Sequence, residues 1–129
     1  MSAKTIINTQ NAPAPIGPYN QAVKVNNLLF VSGQIAINPA DSSLNTGDIV
    51  SETHQVMKNL QAILKEAGMD FSNVVKTSIF LSDMNNFGKV NEVYGSYFSD
   101  NFPARETVQV SRLPKDVNVE ISVIAALNN

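Results

Sequence analysis

Between Val117 and Val123, the residues Val117, Val119, Ile121 and Val123 alternate with Asn118, Glu120 and Ser122. A period of two demands a strand with one buried face and excludes a helix over the same residues. Glu120 therefore points away from the valine face. The face it occupies continues through Ile124 and Ala126, so it begins polar, ends apolar, and requires a cover other than water. A shorter strand-like run precedes it, and the stretch 102–126 holds both arginines, Arg105 and Arg112. Arg105 follows Pro103-Ala104, where the fixed φ of proline predicts launch from a rigid loop. Such a guanidinium suits a ligand clamp; an Arg and a Glu on neighbouring strands equally suit a cross-strand ion pair.

From the amino end, 4–9 reads as a short edge strand, and Gln10 to Pro18 as a loop stiffened by Pro13, Pro15 and Pro18. Tyr19, after Gly17-Pro18, is either an aromatic packed under that loop or a pocket wall. Ala22 to Val25 and Leu28 to Gln34 form a hairpin at Asn26-Asn27, residues that tolerate positive φ. Leu28 to Val31 are apolar on both faces, which predicts a central strand, and Gly33 permits a bulge or a close approach. Ile35 to Gly47 is loop. Asp48 is an N-cap candidate for a helix whose stripe is Ile49, Val50, Val56, Met57, Leu60, Ile63 and Leu64, ending at Gly68. His54, the sole histidine, lies at the edge of that stripe and reads as a surface or boundary residue, with a catalytic role as the alternative.

Val75, Thr77, Ile79 and Leu81 then alternate with Val74, Lys76, Ser78 and Phe80, completing a β-α-β unit whose strands should run parallel. Ser82 or Asp83 caps a second helix with Phe87, Val90, Tyr94, Tyr97 and Phe98 on its apolar stripe and Asn91 one turn after Phe87. The order is β-β-β-α-β-α-β-β, one domain over 1–129. Two helices cover only one face of such a sheet, while several strands are apolar on both, so the second face calls for a partner and predicts a homo-oligomer.

A net charge of −2 with nine scattered Lys and Arg argues against a nucleic-acid footprint. With no cysteine there is no disulfide framework, no thiolate metal site and no cysteine nucleophile, which fits a reducing compartment. No signal pattern opens the chain and no apolar run approaches the ~20 residues of a membrane span, so the reading is cytoplasmic, without membrane. Neither a metal-ligand cluster nor a nucleotide motif is present, and no cofactor is expected.

Gly17-Pro18-Tyr19-Asn20-Gln21, Ser32-Gly33-Gln34, Val90 to Tyr94, Pro103-Ala104-Arg105, Arg112-Leu113-Pro114-Lys115-Asp116 and Val119-Glu120-Ile121 together resemble the RidA/YjgF family of reactive-intermediate deaminases. The resemblance spans nearly the whole chain. It implies an α+β, chorismate-mutase-like fold, with a mixed sheet of about six strands and two helices on one face, assembled as a homotrimer with sites between subunits. It implies hydrolysis of enamine and imine intermediates, such as 2-aminoacrylate and 2-imino acids, to 2-keto acids and ammonia. Arg105 then matches the carboxylate-binding arginine and Glu120 the acid that handles water. Tyr19, Ser32, Gly33, Asn91 and Thr107 match substrate-binding positions, with no metal. The chain departs at Asn20, where the family usually has serine, at Thr107, where many members have cysteine, at Glu106, where a small polar residue is usual, and at Ser122, where a second glutamate is frequent. Glu106 should face solvent, by strand parity opposite to Arg105. The chemistry is consistent without the family: an arginine fork holds a carboxylate beside an electrophilic C=N carbon, and one half-buried carboxyl orients water and carries its proton. A non-catalytic binder of small carboxylates and a ribonuclease or translation inhibitor are the competing readings.

Overall fold

In the computed structural model, which describes residues 4–127, the strands and helices follow the order read from the sequence. They are β1 (Thr5–Ile7), β2 (Ala22–Val25), β3 (Leu28–Gln34), α1 (Ile49–Glu66), β4 (Val74–Leu81), α2 (Phe87–Gly95), β5 (Ala104–Gln109) and β6 (Val119–Ala126). One sheet holds all six strands in the order β1-β2-β3-β6-β4-β5. Only β4 and β5 pair in parallel. β3 and β4 both run antiparallel to β6, so they point the same way, as the β-α-β reading requires, with β6 inserted between them.

The hairpin β2–β3 closes at Asn26, whose φ of 55° is the left-handed conformation asparagine tolerates. Asp48 caps α1 by accepting the Ser51 N–H, and Gly68, at φ 74°, follows its last turn. Leu29, Val31, Ile79, Leu81, Val119, Ile121 and Val123 pack under Val56, Met57, Leu60, Ile63, Leu64, Val90 and Tyr94 of the two helices. Both helices thus lie on one face. The other face is left with Leu28 and Phe30 of β3 and, across the intervening β6 and β4, Val108 of the edge strand β5, each more than 40% exposed. Only near the start of β6 is that face roofed, by a small cluster of Ile35, Ile37, Leu113 and Val117.

Several local expectations change. Arg105 sits in β5 itself rather than in the loop before it. Asp83 caps the short turn Met84–Asn86, while α2 begins at Phe87 without a side-chain cap and ends at Gly95, so Tyr97 and Phe98 lie beyond it. In β4 the register slips between Val74 and Lys76, which buries Val74 and leaves Val75 exposed, the reverse of the predicted alternation. An extra residue in one strand shifts side-chain parity on one side of the slip.

Candidate active site

The slip between Val31 and Gln34 in β3 prepares the first cavity. There Ser32 and Gly33 face one residue of β6, and a Cβ on Gly33 would lie 2.0 Å from Oε2 of Glu120. Only a residue without a side chain leaves space for the Glu120 carboxyl at this place. Around it is a cavity of about 340 Å³ lined by Pro13, Ile16, Tyr19, Ser32, Gly33 and Pro114, among others. Glu120 has no hydrogen-bond partner among the described residues, and burial pushes its carboxyl above the usual range. Tyr19 is a wall of this cavity rather than a residue hidden under the loop, and its hydroxyl accepts the Ile16 N–H at 3.3 Å. The Ser32 hydroxyl donates to the Asn20 carbonyl at 2.6 Å, so it is already engaged in holding the loop.

Buried polar side chains hold the cavity walls, and the sequence pattern did not single them out for this. Gln21, 2% exposed, accepts the Thr9 N–H at 2.7 Å and donates to the Thr9 and Pro13 carbonyls, each at 2.9 Å. Asn59 of α1 donates to the carbonyls of Ile35 and Ile37 at 3.1 and 3.0 Å. Gln21 stood in the motif that carries the family resemblance, whereas Asn59 carried no signal beyond a polar residue among core positions of the α1 stripe.

Arg105 belongs to a different place. It pairs in register with Thr77, whose side chain faces the helices, whereas Glu120 pairs with Phe80 on the opposite face. The guanidinium donates to Asn91 Oδ1 at 2.5 Å, and its carbon lies 5.4 Å from the Tyr94 ring centroid and 5.6 Å from that of Phe87. These contacts orient the fork while leaving further donors uncommitted. A cavity of about 500 Å³ opens there, lined by Asn91, Tyr94, Gly95, Phe102, Pro103 and Arg105. Burial pushes the Tyr94 phenol up, its bond to Thr77 opposing.

Four of the seven candidate residues, Tyr19, Ser32, Gly33 and Glu120, line the first cavity, and Asn91 and Arg105 line the second. Thr107 lines neither; its hydroxyl is buried without a hydrogen-bond partner. Arg105 and Glu120 form no ion pair, since they stand on opposite faces of the sheet. Glu106 accepts from the Ser78 hydroxyl and pairs with Lys76 at 3.1 Å, and the Ser78 bond first, then Lys76, holds its carboxyl below the usual range. It thus faces away from Arg105. His54 bonds through Nδ1 to the Tyr97 hydroxyl at 2.9 Å and lines neither cavity. Among the described residues, no group of acidic, histidine or cysteine side chains could hold a metal ion, and no helix is long and apolar enough to cross a membrane.

A sequence model of the family described as Endoribonuclease L-PSP, which contains the RidA and YjgF proteins, matches residues 9–127. The chain belongs to the RidA/YjgF family. It is 50% identical over 122 residues to the mouse (Mus musculus) protein named 2-iminobutanoate/2-iminopropanoate deaminase, covering 95% of this chain and 90% of that one. It is 52% identical, again over 122 residues, to a RutC family protein of Pyrococcus horikoshii, with 95% and 97% covered. Among solved structures, E. coli TdcF with bound serine superposes with a TM-score of 0.92 at 38% identity, covering 96% of this chain and 99% of that one. The fold is therefore the chorismate-mutase-like one of these RidA/YjgF relatives.

Proposed function

We propose that this RidA/YjgF protein hydrolyses reactive 2-imino acids, and the enamines that tautomerise to them, releasing 2-keto acids and ammonia. The observation that carries the reading is Glu120: a half-buried carboxyl without a hydrogen-bond partner among the described residues, raised in pKa by burial, at the wall of a cavity large enough for a small acid. Such a group accepts a proton from water as the oxygen adds to the C=N carbon. It then returns that proton to the nitrogen, giving a carbinolamine, and carries the hydroxyl proton to the same nitrogen as the C–N bond breaks, leaving the keto acid and ammonia. Arg105, steadied by Asn91 between two aromatic rings, supplies the bidentate partner for the substrate carboxylate.

One copy of the chain offers these two groups on opposite faces of its sheet. The reading therefore includes a closed assembly of three copies, in which the Arg105 edge of one meets the Glu120 cavity of the next. Leu28 and Phe30 of β3, about two-fifths exposed on the helix-free face and in register with Ala126 and Ile124 of β6, support it; isolated apolar residues need no cover, but adjacent ones on one sheet face favour one. The mouse relative's name agrees with this substrate class. The family's description as an endoribonuclease offers a second reading, which the geometry does not favour, because His54 is bonded to Tyr97 away from both cavities.

The test is ammonia release from an imino acid generated in situ, measured against the spontaneous rate. Glu120→Gln should lower kcat about 10²–10⁴-fold with keto-acid binding little changed, and Arg105→Ala should cost about 2–5 kcal/mol of binding or transition-state stabilisation. Wild-type turnover by folded Glu120→Gln protein would remove Glu120 from the reaction.

A further inference from the structure

Behind the first cavity lies a second carboxyl that the proposed reaction does not use. Glu52, in the first turn of α1, is fully buried. Both its oxygens accept from one residue: Oε2 from the Asn118 N–H and Oε1 from the Asn118 side-chain amide, each at 2.8 Å. No Lys, Arg or His pairs with it among the described residues. A buried carboxyl without a cation is an expensive choice for a core. Here two donors of one asparagine require two acceptors, which a glutamine lacks, and the positive end of the α1 dipole favours an anion.

Asn118 is held from its other side as well. Its carbonyl accepts the Ser82 N–H at 3.2 Å, and its Oδ1 accepts the Ser82 hydroxyl at 3.3 Å. Its four polar groups thus tie α1, the end of β4 and the start of β6 together. Pro114 and Glu120, which flank Asn118 in sequence, both line the cavity. Between Pro114 and Asn118 the chain makes a strained turn, with Lys115 and Asp116 both in the left-handed region at φ 56° and 57°. Strain of this kind persists only where the surroundings over-determine it. The Arg112–Asp116 pair at the turn is largely exposed and exposed pairs hold little. The buried Glu52 clamp is the firm anchor.

We infer that Glu52 is a positioning residue for Glu120: by clamping Asn118 it holds the strained turn and sets where the Glu120 carboxyl stands in the cavity. The inference rests on Glu120 as the proton carrier of imine hydrolysis. Three variants test it, Glu52→Gln, Asn118→Asp and the two combined, in the same ammonia-release assay and with thermal melts. Glu52→Gln loses one acceptor and should lower kcat about tenfold with KM unchanged, since small misplacements of a reacting group weigh heavily on the chemical step. Asn118→Asp sets two carboxyls against each other and should lose more. In the combined variant the introduced glutamine amide donates to the introduced carboxylate, which still accepts from Ser82, so most of kcat should return. A Glu52→Gln protein with a lower Tm but wild-type kcat per folded molecule would overturn the inference, as would additive losses in the combined variant. If Glu52→Gln alone does not fold, the folded combined variant decides by the same kcat criterion. These outcomes are separate from the failure of the catalytic reading itself, which Glu120→Gln reports.

Discussion

Glu120 and Gly33 depend on each other. Because the Cβ of an alanine at 33 would meet the far end of the Glu120 side chain, and that side chain can rotate toward the open cavity, Gly33→Ala should fold with nearly unchanged Tm. The carboxyl would be displaced, and we expect kcat for imine hydrolysis to fall about 10²-fold. The same carboxyl also predicts a pH dependence of stability. Burial raises its folded pKa above the ordinary value of 4.5, so its contribution is full below that value and is lost as pH rises through the folded pKa. Glu120→Gln does not titrate. Its Tm should match wild type near pH 4, exceed it increasingly as pH rises, and keep a constant lead at higher pH. A lead that shrinks with rising pH would mean the native site favours the ionised form.

At the level of elements, α2 and β4 are joined by the hydroxyl of Tyr94, which donates to the fully buried Thr77 Oγ1 at 2.9 Å. Removing the donor leaves the threonine oxygen unsatisfied, so Tyr94→Phe should cost about 1–3 kcal/mol of stability, while Tyr94→Phe with Thr77→Val should recover most of it. The phenylalanine ring still flanks Arg105, so keto-acid affinity should change little. Thermal melts and ligand titration check the two halves of this prediction. The elements themselves were largely legible. Period-two runs marked β4 and β6, the Asn26-Asn27 turn and an apolar run marked β3, and Asp48 and Gly68 marked the ends of α1, because these signals arise from residues next to each other in sequence. The slip that exposes Val75 was not legible, since a bulge is defined by the partner strand.

For the whole molecule, the separation of Arg105 from Glu120 makes a prediction that no single-site scheme shares. Arg105→Ala and Glu120→Gln proteins, each inactive alone, should regain activity when co-assembled by refolding together. Each intact Arg105 can then meet an intact Glu120 from a neighbour, and random mixing restores about a quarter of the wild-type sites. Continued inactivity of demonstrably mixed assemblies would place both groups in one subunit's site. Phe30→Glu, a charge on the helix-free face, should give smaller species by native mass spectrometry and lose activity with them.

Read alone, the sequence determined the order of the elements, the faces of most strand residues and the family to which the chain belongs. Each follows from periodicity, turn chemistry or motif, all of which are local. The tertiary structure decided what lies beside what: that β6 runs between β3 and β4, that Gly33 makes room for Glu120, and that Arg105 faces the helices while Glu120 does not. Glu52 shows the reason most directly. A buried carboxyl has no period or motif of its own, and its role is set by Asn118, 66 residues away in the chain.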